Sequence, residues 1–397
     1  MSMHQRVQVA IIGAGPSGLL LGALLDRAGI DHVLIERQSP EYVLSRIRAG
    51  VLEQGTVDVL DQLGLSIRLH REGLVHHGFD LLFQGKRHRI DLQALTRGKQ
   101  VVVYGQTEVT KDLMDDRASR GLSSYYEVEG LSIQGLDADQ VEINAIYQGA
   151  PLRIHADLVA GCDGFHGLCR KLIPESVLRT YEKVYPFGWL GVLADVKPVN
   201  DELIYVNSPK GFALCSMRST TRSRYYIQVP ATEDINAWSD DRFWSVLSDR
   251  LDPQAAKELM TGPSIEKSIA PLRSFVAEPM RWGRLLLAGD AAHIVPPTGA
   301  KGLNLAVSDV RYLAEALTDW FKDHHDSHLD RYSQRCLNRV WRAERFSWWF
   351  TSLMHRFADD ADFEQKIQEA ELDYLVRSQA ASSALAENYV GLPMEWS

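Results

Sequence analysis

The sequence predicts a chain of the α/β class, α+β overall, and three observations support this fold class. A β-branched apolar run, a glycine-rich turn and an apolar helix follow one another within residues 7–27, as in a βαβ unit. Alternating strand patterns dominate residues 181–279, and helical periodicity dominates residues 297–397. We therefore expect a βαβ-based domain in residues 1–180, a β-sheet domain in 181–279 and a helical C-terminal region in 280–397.

The composition is that of a globular protein with more than one core. The 397 residues are 45% hydrophobic and 24% charged, and a formal net charge of -9 argues against nucleic acid as a partner. The N-terminus does not resemble a signal peptide, and the apolar run Leu19–Leu25 is too short to cross a bilayer. We therefore expect a cytoplasmic protein without membrane contact, whose four scattered cysteines are ordinary thiols.

The first predicted element is a strand that leads into a glycine-rich turn. Val7–Ile12 is short, apolar and rich in β-branched residues, and the turn after it fits the pattern G-x-G-x-x-G. The glycines of such a turn permit a tight bend and a close approach of pyrophosphate, and the following helix N-terminus attracts phosphate. Glu36 ends the next strand, where an acid binds ribose hydroxyls. This unit predicts a Rossmann-like domain for a dinucleotide, either FAD or NAD(P).

The chain after Glu36 departs from a simple NAD dehydrogenase, in which βαβ units would continue to about residue 150. A basic loop comes first, and its Arg46 and Arg48 either meet phosphate or are solvated. Strand pairs with polar turns follow and predict β insertions in the first domain. Ala156–Ile173 then predicts a second strand–turn–helix unit, with Asp163-Gly164 at its turn.

Polar residues alternate along two strands of the predicted β-sheet domain. Because successive side chains point to opposite faces of a sheet, Ser216 and Arg218 share one face, as do Arg224 and Tyr226. One surface with two cations, a hydroxyl and a phenol suits a small aromatic acid. The alternative is an arginine-rich hairpin that faces solvent.

Three markers follow one another in the order and rough spacing of a known family: the glycine turn 13–18, Asp163-Gly164 and Gly289-Asp290. With them the chain resembles the FAD-dependent aromatic hydroxylases, which are single-component flavoprotein monooxygenases. Segments that extend the resemblance over nearly the whole chain include "VYGQTEVTKDLM", "YPFGWLG", "RSRYYIQVP", "GDAAHIVPPTGAKGLNLA" and "AENYVGLP". Within the family, they are most similar to the members that act on 4-hydroxybenzoate.

The resemblance implies that FAD is the bound cofactor and indicates its contacts. Asp290 would bind the ribityl chain, residues 297–304 would line the isoalloxazine ring, and Arg224 would lie near the flavin. A rigid segment with two consecutive prolines suits a wall that excludes water, although the prolines alone could merely stiffen a loop. The implied FAD contacts are Gly13, Gly15, Ser17, Gly18, Glu36, Arg46, Arg48, Gln106, Asp163, Arg224, Asp290, Gly299, Leu303 and Asn304.

The resemblance also implies roles at the substrate. The carboxylate of a benzoate would be bound by Ser216, Arg218 and Tyr226, next to Tyr205 and Pro297.

A proton relay is implied on the phenol side, with Tyr205, Tyr389, His76 and Pro297 as the catalytic group. Tyrosine can both donate and accept a proton, and histidine titrates near neutral pH. Without the resemblance, the two tyrosines would be interpreted as packing residues and the histidine as structural.

A reductant site is expected on the surfaces already described, because no second G-x-G-x-x-G occurs. By resemblance, Arg37, Gln38 and Tyr42 would contact the 2′-phosphate of NADPH, which favours NADPH over NADH. His166 and Arg273 match positions that contact its pyrophosphate. Each of these residues could instead be an ordinary surface group.

The C-terminal region carries the aromatic cluster "ERFSWWFTSLMHRF", which indicates core or a subunit interface. The resemblance implies a homodimer. The segment "DHHDSH" at 323–328 has no further organised ligands, so we expect a solvated loop and no metal site.

The expected function is hydroxylation of 4-hydroxybenzoate to 3,4-dihydroxybenzoate with NADPH and O2, through a flavin hydroperoxide, in aromatic compound degradation. One alternative is the same chemistry on another hydroxy- or aminobenzoate. Two others differ in class: a flavin oxidase that does not hydroxylate, and a flavin-fold protein that only binds an aromatic acid.

Overall fold

The computed structural model describes residues 3–45, 50–357 and 362–394 of the chain. The strands are β1 Met3–Ile12, β2 His32–Ile35, β3 Val51–Glu53, β4 Leu74–His76, β5 Gly78–Phe83, β6 Lys86–Asp91, β7 Val101–Val103, β8 Ser124–Tyr125, β9 Glu129–Gln134, β10 Val141–Tyr147, β11 Ala150–Gly161, β12 Arg179–Ala194, β13 Ile204–Asn207, β14 Ala213–Ser219, β15 Arg222–Pro230, β16 Ser264–Glu278, β17 Arg281–Trp282, β18 Leu285–Leu287 and β19 His293–Ile294. The α-helices are α1 Pro16–Arg27, α2 Pro40–Ser45, α3 Gln54–Leu63, α4 Ile67–Glu72, α5 Leu92–Leu95, α6 Gln106–Ser119, α7 Asp240–Ser248, α8 Pro253–Glu258, α9 Gly302–Thr318, α10 Ser327–Met354, α11 Asp362–Arg377 and α12 Gln379–Val390. The mixed α/β fold class is therefore confirmed.

The first sheet has the strand order β17-β18-β11-β1-β2-β8, with β10 and then β9 added beside β11. Its central strands β1, β2, β11 and β18 run parallel. Ile12 pairs with both Ile35 and Gly161, and Gly161 pairs in turn with Leu287. The carboxyl ends of four strands therefore meet at one edge, which is where open α/β sheets bind ligands.

The second sheet has the strand order β19-β16-β12-β15-β14-β13-β5-β6. One of its faces packs against an aromatic and aliphatic cluster supplied by α10, α11 and α12. The opposite face packs against α7 and its neighbours in a separate apolar cluster. The sheet is thus covered on both sides, and its two faces are free to serve different purposes.

The structure adds two unpredicted helices to one region and corrects one predicted helix in another. The region 181–279 contains α7 and α8 in addition to strands; Ser239 and Asp252 cap these helices by accepting hydrogen bonds from backbone N–H groups. The unit predicted at 156–173 has its strand and turn, but its helix is only the short 3-10 helix Cys169–Leu172.

The two sheets interleave along the chain. The hairpin of β5 and β6 extends the second sheet although it precedes most of the first, and β18 returns to the first sheet after β16. The division at residues 180 and 279 stays a prediction about independent units. A third, small sheet has the order β3-β7-β4 and carries His76 at its edge.

The described part of the chain includes no helix with the length and apolarity needed to cross a bilayer. All four cysteines are buried thiols.

Glu344 on α10 makes unfolding depend on pH. It is 4% exposed, and burial raises its pKa to about 7, against the lowering effects of a Ser274 hydrogen bond and of His293. Since an unfolded glutamate titrates near 4.5, the folded chain keeps a proton between pH 4.5 and 7 that the unfolded chain loses. The free energy of unfolding should therefore fall as pH rises through this window.

Glu344→Gln should remove that pH dependence. We expect the variant to gain up to about 3 kcal/mol in unfolding free energy at pH 8 and almost nothing at pH 4.5. Urea denaturation at both pH values measures the difference, with the exposed Glu364→Gln as a control that should change neither value. Equal effects at the two pH values would contradict the assignment of a buried, protonated carboxyl group.

Candidate active site

The glycine turn after β1 is built by close backbone contacts. Gly13 has a φ of +108°, and a Cβ there would lie 2.3 Å from the carbonyl oxygen of Cys162. A Cβ at Gly18 would lie 2.0 Å from the carbonyl oxygen of Gly13. At Gly15, by contrast, a Cβ would meet nothing within 4 Å. Gly13 and Gly18 therefore allow the turn to pack closely against neighbouring backbone. Gly15 leaves room for a ligand to approach the backbone.

Glu36 and the first helix complete this end of the site. One oxygen of Glu36 accepts from the backbone N–H of Ala14 at 2.8 Å, and the other accepts from that of Gln38 at 2.8 Å. Each carboxylate oxygen keeps a second lone pair for a hydroxyl group. The helix α1, which contains Ser17, starts at Pro16 without a side-chain cap, so its positive end is available to phosphate.

Two further turns follow the other strand ends. Asp163 comes after β11; its Oδ2 accepts from the N–H of Cys169 at 2.9 Å, and its Oδ1 is buried without a hydrogen-bonding partner in the described residues. Asp290 comes after β18 and is exposed in the 3-10 helix Gly289–Ala291. A Cβ at Gly289 would lie 2.5 Å from Oγ of Ser17, so this turn packs directly on the glycine turn.

The segment predicted to line the isoalloxazine ring is held by the protein behind it. All four hydrogen-bonding positions of Asn304 are used: Oδ1 accepts from the N–H of Glu53 and from Thr56, and Nδ2 donates to the carbonyls of Val51 and Ala300. This leaves only the backbone of Asn304 for a ligand.

Two residues near Asn304 also contact other parts of the protein. Gly299 lies against Ser347, and Leu303 lines a small apolar cavity beside Ser17. Pro297 is exposed, so it can face a ligand.

These residues fit a bound FAD. Gly15 offers open space for a ligand. Several polar groups follow strands whose carboxyl ends share one edge of the first sheet: the α1 N-terminus, the Glu36 carboxylate and the turns at 163 and 290. Gln106 begins α6 at an N-terminus that also lacks a side-chain cap. Arg46 and Arg48 lie outside the described residues.

The strand register agrees with the predicted polar face at Ser216, Arg224 and Tyr226, but Arg218 lies at a register shift between Met217 and Ser219, so strand pairing does not assign it to a face. Leu214 pairs with Tyr226, and Ser216 pairs with Arg224, so β14 and β15 present these side chains on one surface. Tyr205 on β13 joins the same row because it pairs with Leu214. The row ends at Gly191 of β12, where a Cβ would lie 2.8 Å from the Tyr226 ring.

Arg224 and Arg218 differ in their surroundings. Arg224 is buried, ion-paired with Glu266, 3.3 Å from Oγ of Ser268 and 5.1 Å from the centre of the Tyr226 ring. Arg218 has a buried Nη1 without a hydrogen-bonding partner in the described residues. Arg218 is therefore the cation of this face that is suited to a carboxylate ligand.

The relay residues predicted on the phenol side are partly brought together. The hydroxyl groups of Tyr205 and Tyr389 are 2.9 Å apart, and both rings are almost fully buried around Phe79. Burial raises the pKa of both phenols, so they stay protonated at neutral pH. His76 is buried with both ring nitrogens unpartnered among the described residues. Burial lowers its pKa to about 4; the carboxylate of Glu202 opposes this decrease, and the charge of Arg218 adds to it.

A buried ion pair beneath this site is absent from the sequence prediction. Nζ of Lys301 lies 2.6 Å from Oε1 of Glu53 and donates to the backbone carbonyl of Tyr389 at 2.8 Å. Arg339 also approaches Glu53, at 3.4 Å. The pair joins residues 248 positions apart, so local sequence patterns could not predict it.

The residues expected to bind NADPH form two exposed groups. Arg37 is exposed, Tyr42 is 45% exposed, and Gln38 is fixed through its backbone to Glu36.

The second group gathers around Phe165: the exposed His166 packs edge-on at 5.0 Å, and the guanidinium of Arg273 lies 4.6 Å above the ring. Arg273 also pairs with Glu182 at 3.2 Å.

Metal-binding clusters of three or more His, Cys, Asp or Glu residues do not occur within the described ranges. The histidine-rich segment 323–328 is mostly exposed, but only part of it is a loop: Asp323 ends a π-helix that begins at Asp319, and α10 begins at Ser327.

Comparison with known proteins adds three findings. Residues 6–347 match the family model described as FAD binding domain. The chain is 59% identical over 391 residues to a p-hydroxybenzoate hydroxylase from Acinetobacter baylyi, covering 98% of this chain and 96% of that protein. It is 25% identical to a probable NADH-specific resorcinol 4-hydroxylase from Rhodococcus jostii, over 83% of this chain and 62% of that one. Its fold is similar to that of p-nitrophenol 4-monooxygenase from Pseudomonas putida, with a TM-score of 0.82 at 20% identity over 98% of this chain and all of the other.

Substitutions in the glycine turn should separate folding from FAD binding. Gly15→Ala places a methyl group in open space, so we expect an unchanged melting temperature for the FAD-free protein and a loss of FAD affinity of at least about tenfold. Gly18→Ala is the matched variant, since its methyl group meets the Gly13 carbonyl and should lower the melting temperature itself. Fluorescence titration with FAD and thermal unfolding measure the two effects. A Gly15→Ala protein that binds FAD as tightly as the wild type would remove this turn from the FAD site.

Proposed function

Because the chain belongs to the FAD binding domain family and, within it, to the p-hydroxybenzoate hydroxylases, we propose that it hydroxylates 4-hydroxybenzoate to 3,4-dihydroxybenzoate with NADPH and O2. NADPH supplies two electrons, one oxygen atom enters the ring beside the phenol, and the other leaves as water. FAD, when bound, accepts these electrons and activates the oxygen. Two observations carry the proposal: Nη1 of Arg218 is buried without a hydrogen-bonding partner in the described residues, and the hydroxyl groups of Tyr205 and Tyr389 are hydrogen-bonded to each other.

The carboxylate of the substrate is bound at one end of this face. Arg218 offers a planar pair of N–H donors, which a carboxylate matches in two parallel hydrogen bonds. Ser216 and Tyr226 share one surface of β14 and β15 and can satisfy the remaining lone pairs of the carboxylate.

The phenol of the substrate then reaches towards Tyr205. Attack on the ring next to a phenol is faster when the phenol has lost its proton, so the protein must remove that proton. Tyr205 can accept it while passing its own to Tyr389, because the two hydroxyl groups are 2.9 Å apart. In this proposal His76 is the outer end of the relay. Burial lowers its pKa to about 4, so the expectation that it titrates near neutral pH is corrected: it is a neutral ring at pH 7, with both nitrogens without a partner among the described residues.

NADPH binds, in this proposal, at the two exposed groups around Arg37 and Phe165. The cations Arg37 and Arg273 would meet the 2′-phosphate and the pyrophosphate, since a guanidinium is a good phosphate ligand.

A homodimer is proposed from an exposed aromatic patch on β12 and α10. Tyr181 and Trp341 are 45% and 41% exposed and pack edge-to-face at 5.3 Å, and Trp348 nearby is 45% exposed. Aromatic residues grouped on a surface are typical of subunit interfaces. A mass of two chains in sedimentation equilibrium would support this assembly.

The proposed reaction is tested by NADPH consumption in air, with and without 4-hydroxybenzoate, together with chromatography of the product. We expect consumption to rise sharply with substrate and to yield one 3,4-dihydroxybenzoate for each NADPH. Fast consumption that yields only hydrogen peroxide would contradict hydroxylation of this substrate, and related hydroxy- and aminobenzoates would be tried next.

Tyr205→Phe should uncouple the reaction. The variant keeps the ring that packs on Phe79 but loses the hydroxyl group that accepts the phenolic proton. We expect FAD binding and the flavin spectrum to stay unchanged, while the yield of product per NADPH falls at least about tenfold. Tyr225→Phe is a matched control, since Tyr225 is equally buried on the opposite face of the sheet. Wild-type yield from Tyr205→Phe would show that the assigned relay is wrong.

A further inference from the structure

His355, at the end of α10, is a fully buried histidine that none of the roles above includes. It lies among aromatic rings, stacked on Phe187 with a centroid distance of 4.7 Å and on Phe212 at 4.2 Å. A cage of this kind would accept an apolar side chain without the cost of burying two ring nitrogens. The polar atoms of His355 therefore need an explanation.

Both ring nitrogens have defined partners. Nδ1 donates to the backbone carbonyl of Thr351 at 2.9 Å, which leaves Nε2 as an acceptor for the indole N–H of Trp189 at 2.7 Å. This pattern requires the neutral ring with its proton on Nδ1. Burial lowers the pKa of His355 to about 3, so the ring is neutral at pH 7.

The partner on one side belongs to the substrate face. Trp189 pairs with Gln228, one row along from the pair of Gly191 and Tyr226, so its indole lies on the same surface as Tyr226. The two rings are 5.0 Å apart. Because Gly191 has no side chain, the Trp189 indole is the next bulky group on β12 beside Tyr226.

The partner on the other side leads to the segment that carries Pro297. Oγ1 of Thr351 donates to Oγ1 of Thr298 at 2.9 Å, and Thr298 is fully buried between Pro297 and Gly299. One short stretch of α10 therefore touches both walls of the proposed site: the sheet face through His355 and the proline segment through Thr351.

We propose that His355 is a positioning residue for the aromatic acid, which holds the Trp189 indole against Tyr226 and, through Thr351, sets its distance from Pro297. His355 does not touch the substrate. It fixes the width of the slot between the Trp189–Tyr226 face and Pro297, in which the substrate ring lies. The inference rests on the proposed function, because it assumes that an aromatic acid occupies this slot.

Two substitutions at His355 separate its hydrogen bonds. In His355→Gln, the longer side chain can place an oxygen where Nε2 accepts from Trp189. In His355→Asn, the shorter amide can still donate to the Thr351 carbonyl but does not reach the indole. We expect His355→Asn to weaken 4-hydroxybenzoate binding to the FAD-loaded protein about tenfold and to increase peroxide formation, whereas His355→Gln stays within about threefold of wild type.

A second pair of variants controls for loss of stability. Trp189→Phe removes the indole donor at this site, and Trp244→Phe removes a matched donor on the opposite face of the sheet, where Nε1 of Trp244 bonds the Gly262 carbonyl. Only Trp189→Phe should weaken 4-hydroxybenzoate binding, although both should lower the melting temperature. This pair decides the question even if His355→Asn does not fold.

Binding is followed by the change in flavin absorbance and is independent of turnover. If the wild type binds 4-hydroxybenzoate but yields only peroxide, the proposed reaction fails, and the affinities of the variants still decide the role of His355. Equal affinities of His355→Asn and His355→Gln, or of the two tryptophan variants, would overturn the positioning role. Failure of the wild type to bind any benzoate would overturn it as well.

Discussion

One buried carboxylate oxygen holds the segment that crosses from the first sheet to the second. Oδ2 of Asp309 accepts from the backbone N–H of Gly289 at 3.0 Å and from Nε2 of His293 at 2.5 Å. Gly289 lies two positions after the end of β18 in the first sheet, and His293 begins β19 in the second, so the two bonds fix both ends of the crossing. Because the pair is about 1% exposed, water does not compete for these bonds. The glycine turn, the exposed Asp290 and the proline segment all take their positions from this crossing.

The second sheet shows how one element can provide both stability and chemistry. The face towards α7 is apolar and packs as an ordinary core. The other face carries the charged and hydroxyl groups, and it can bury them because each has a defined partner or a ligand to meet: Arg224 pairs with Glu266, and Tyr205 bonds Tyr389. Among the described residues, Nη1 of Arg218 and Nε of Arg224 have no hydrogen-bonding partner, and neither do the two ring nitrogens of His76 in the third sheet.

The sequence predicts the parts of this arrangement that have a local signature. The glycine turn, Glu36 and the shared face of Ser216, Arg224 and Tyr226 follow from short spacings, and the register agrees with that face. Simple alternation does not extend to Arg218, because the register shifts between Met217 and Ser219. The pairs Lys301–Glu53 and Trp189–His355 join distant positions, and no periodicity marks them. The helices α7 and α8 are short and lie between strands, so the strand patterns of this region do not indicate them. The roles of Tyr389 and His76 come from resemblance alone, since a buried tyrosine or histidine is usually a packing residue.

The most direct test of the account is a crystal structure of the protein with FAD and 4-hydroxybenzoate. The account predicts that the carboxylate of the substrate lies on Arg218 with Ser216 and Tyr226, and that its phenol oxygen is within hydrogen-bonding distance of the Tyr205 hydroxyl. The ring should lie between Pro297 and the face that carries Tyr226. A ligand bound in the reverse orientation, or bound away from the second sheet, would contradict the central claim that this face and the crossing segment form one active site.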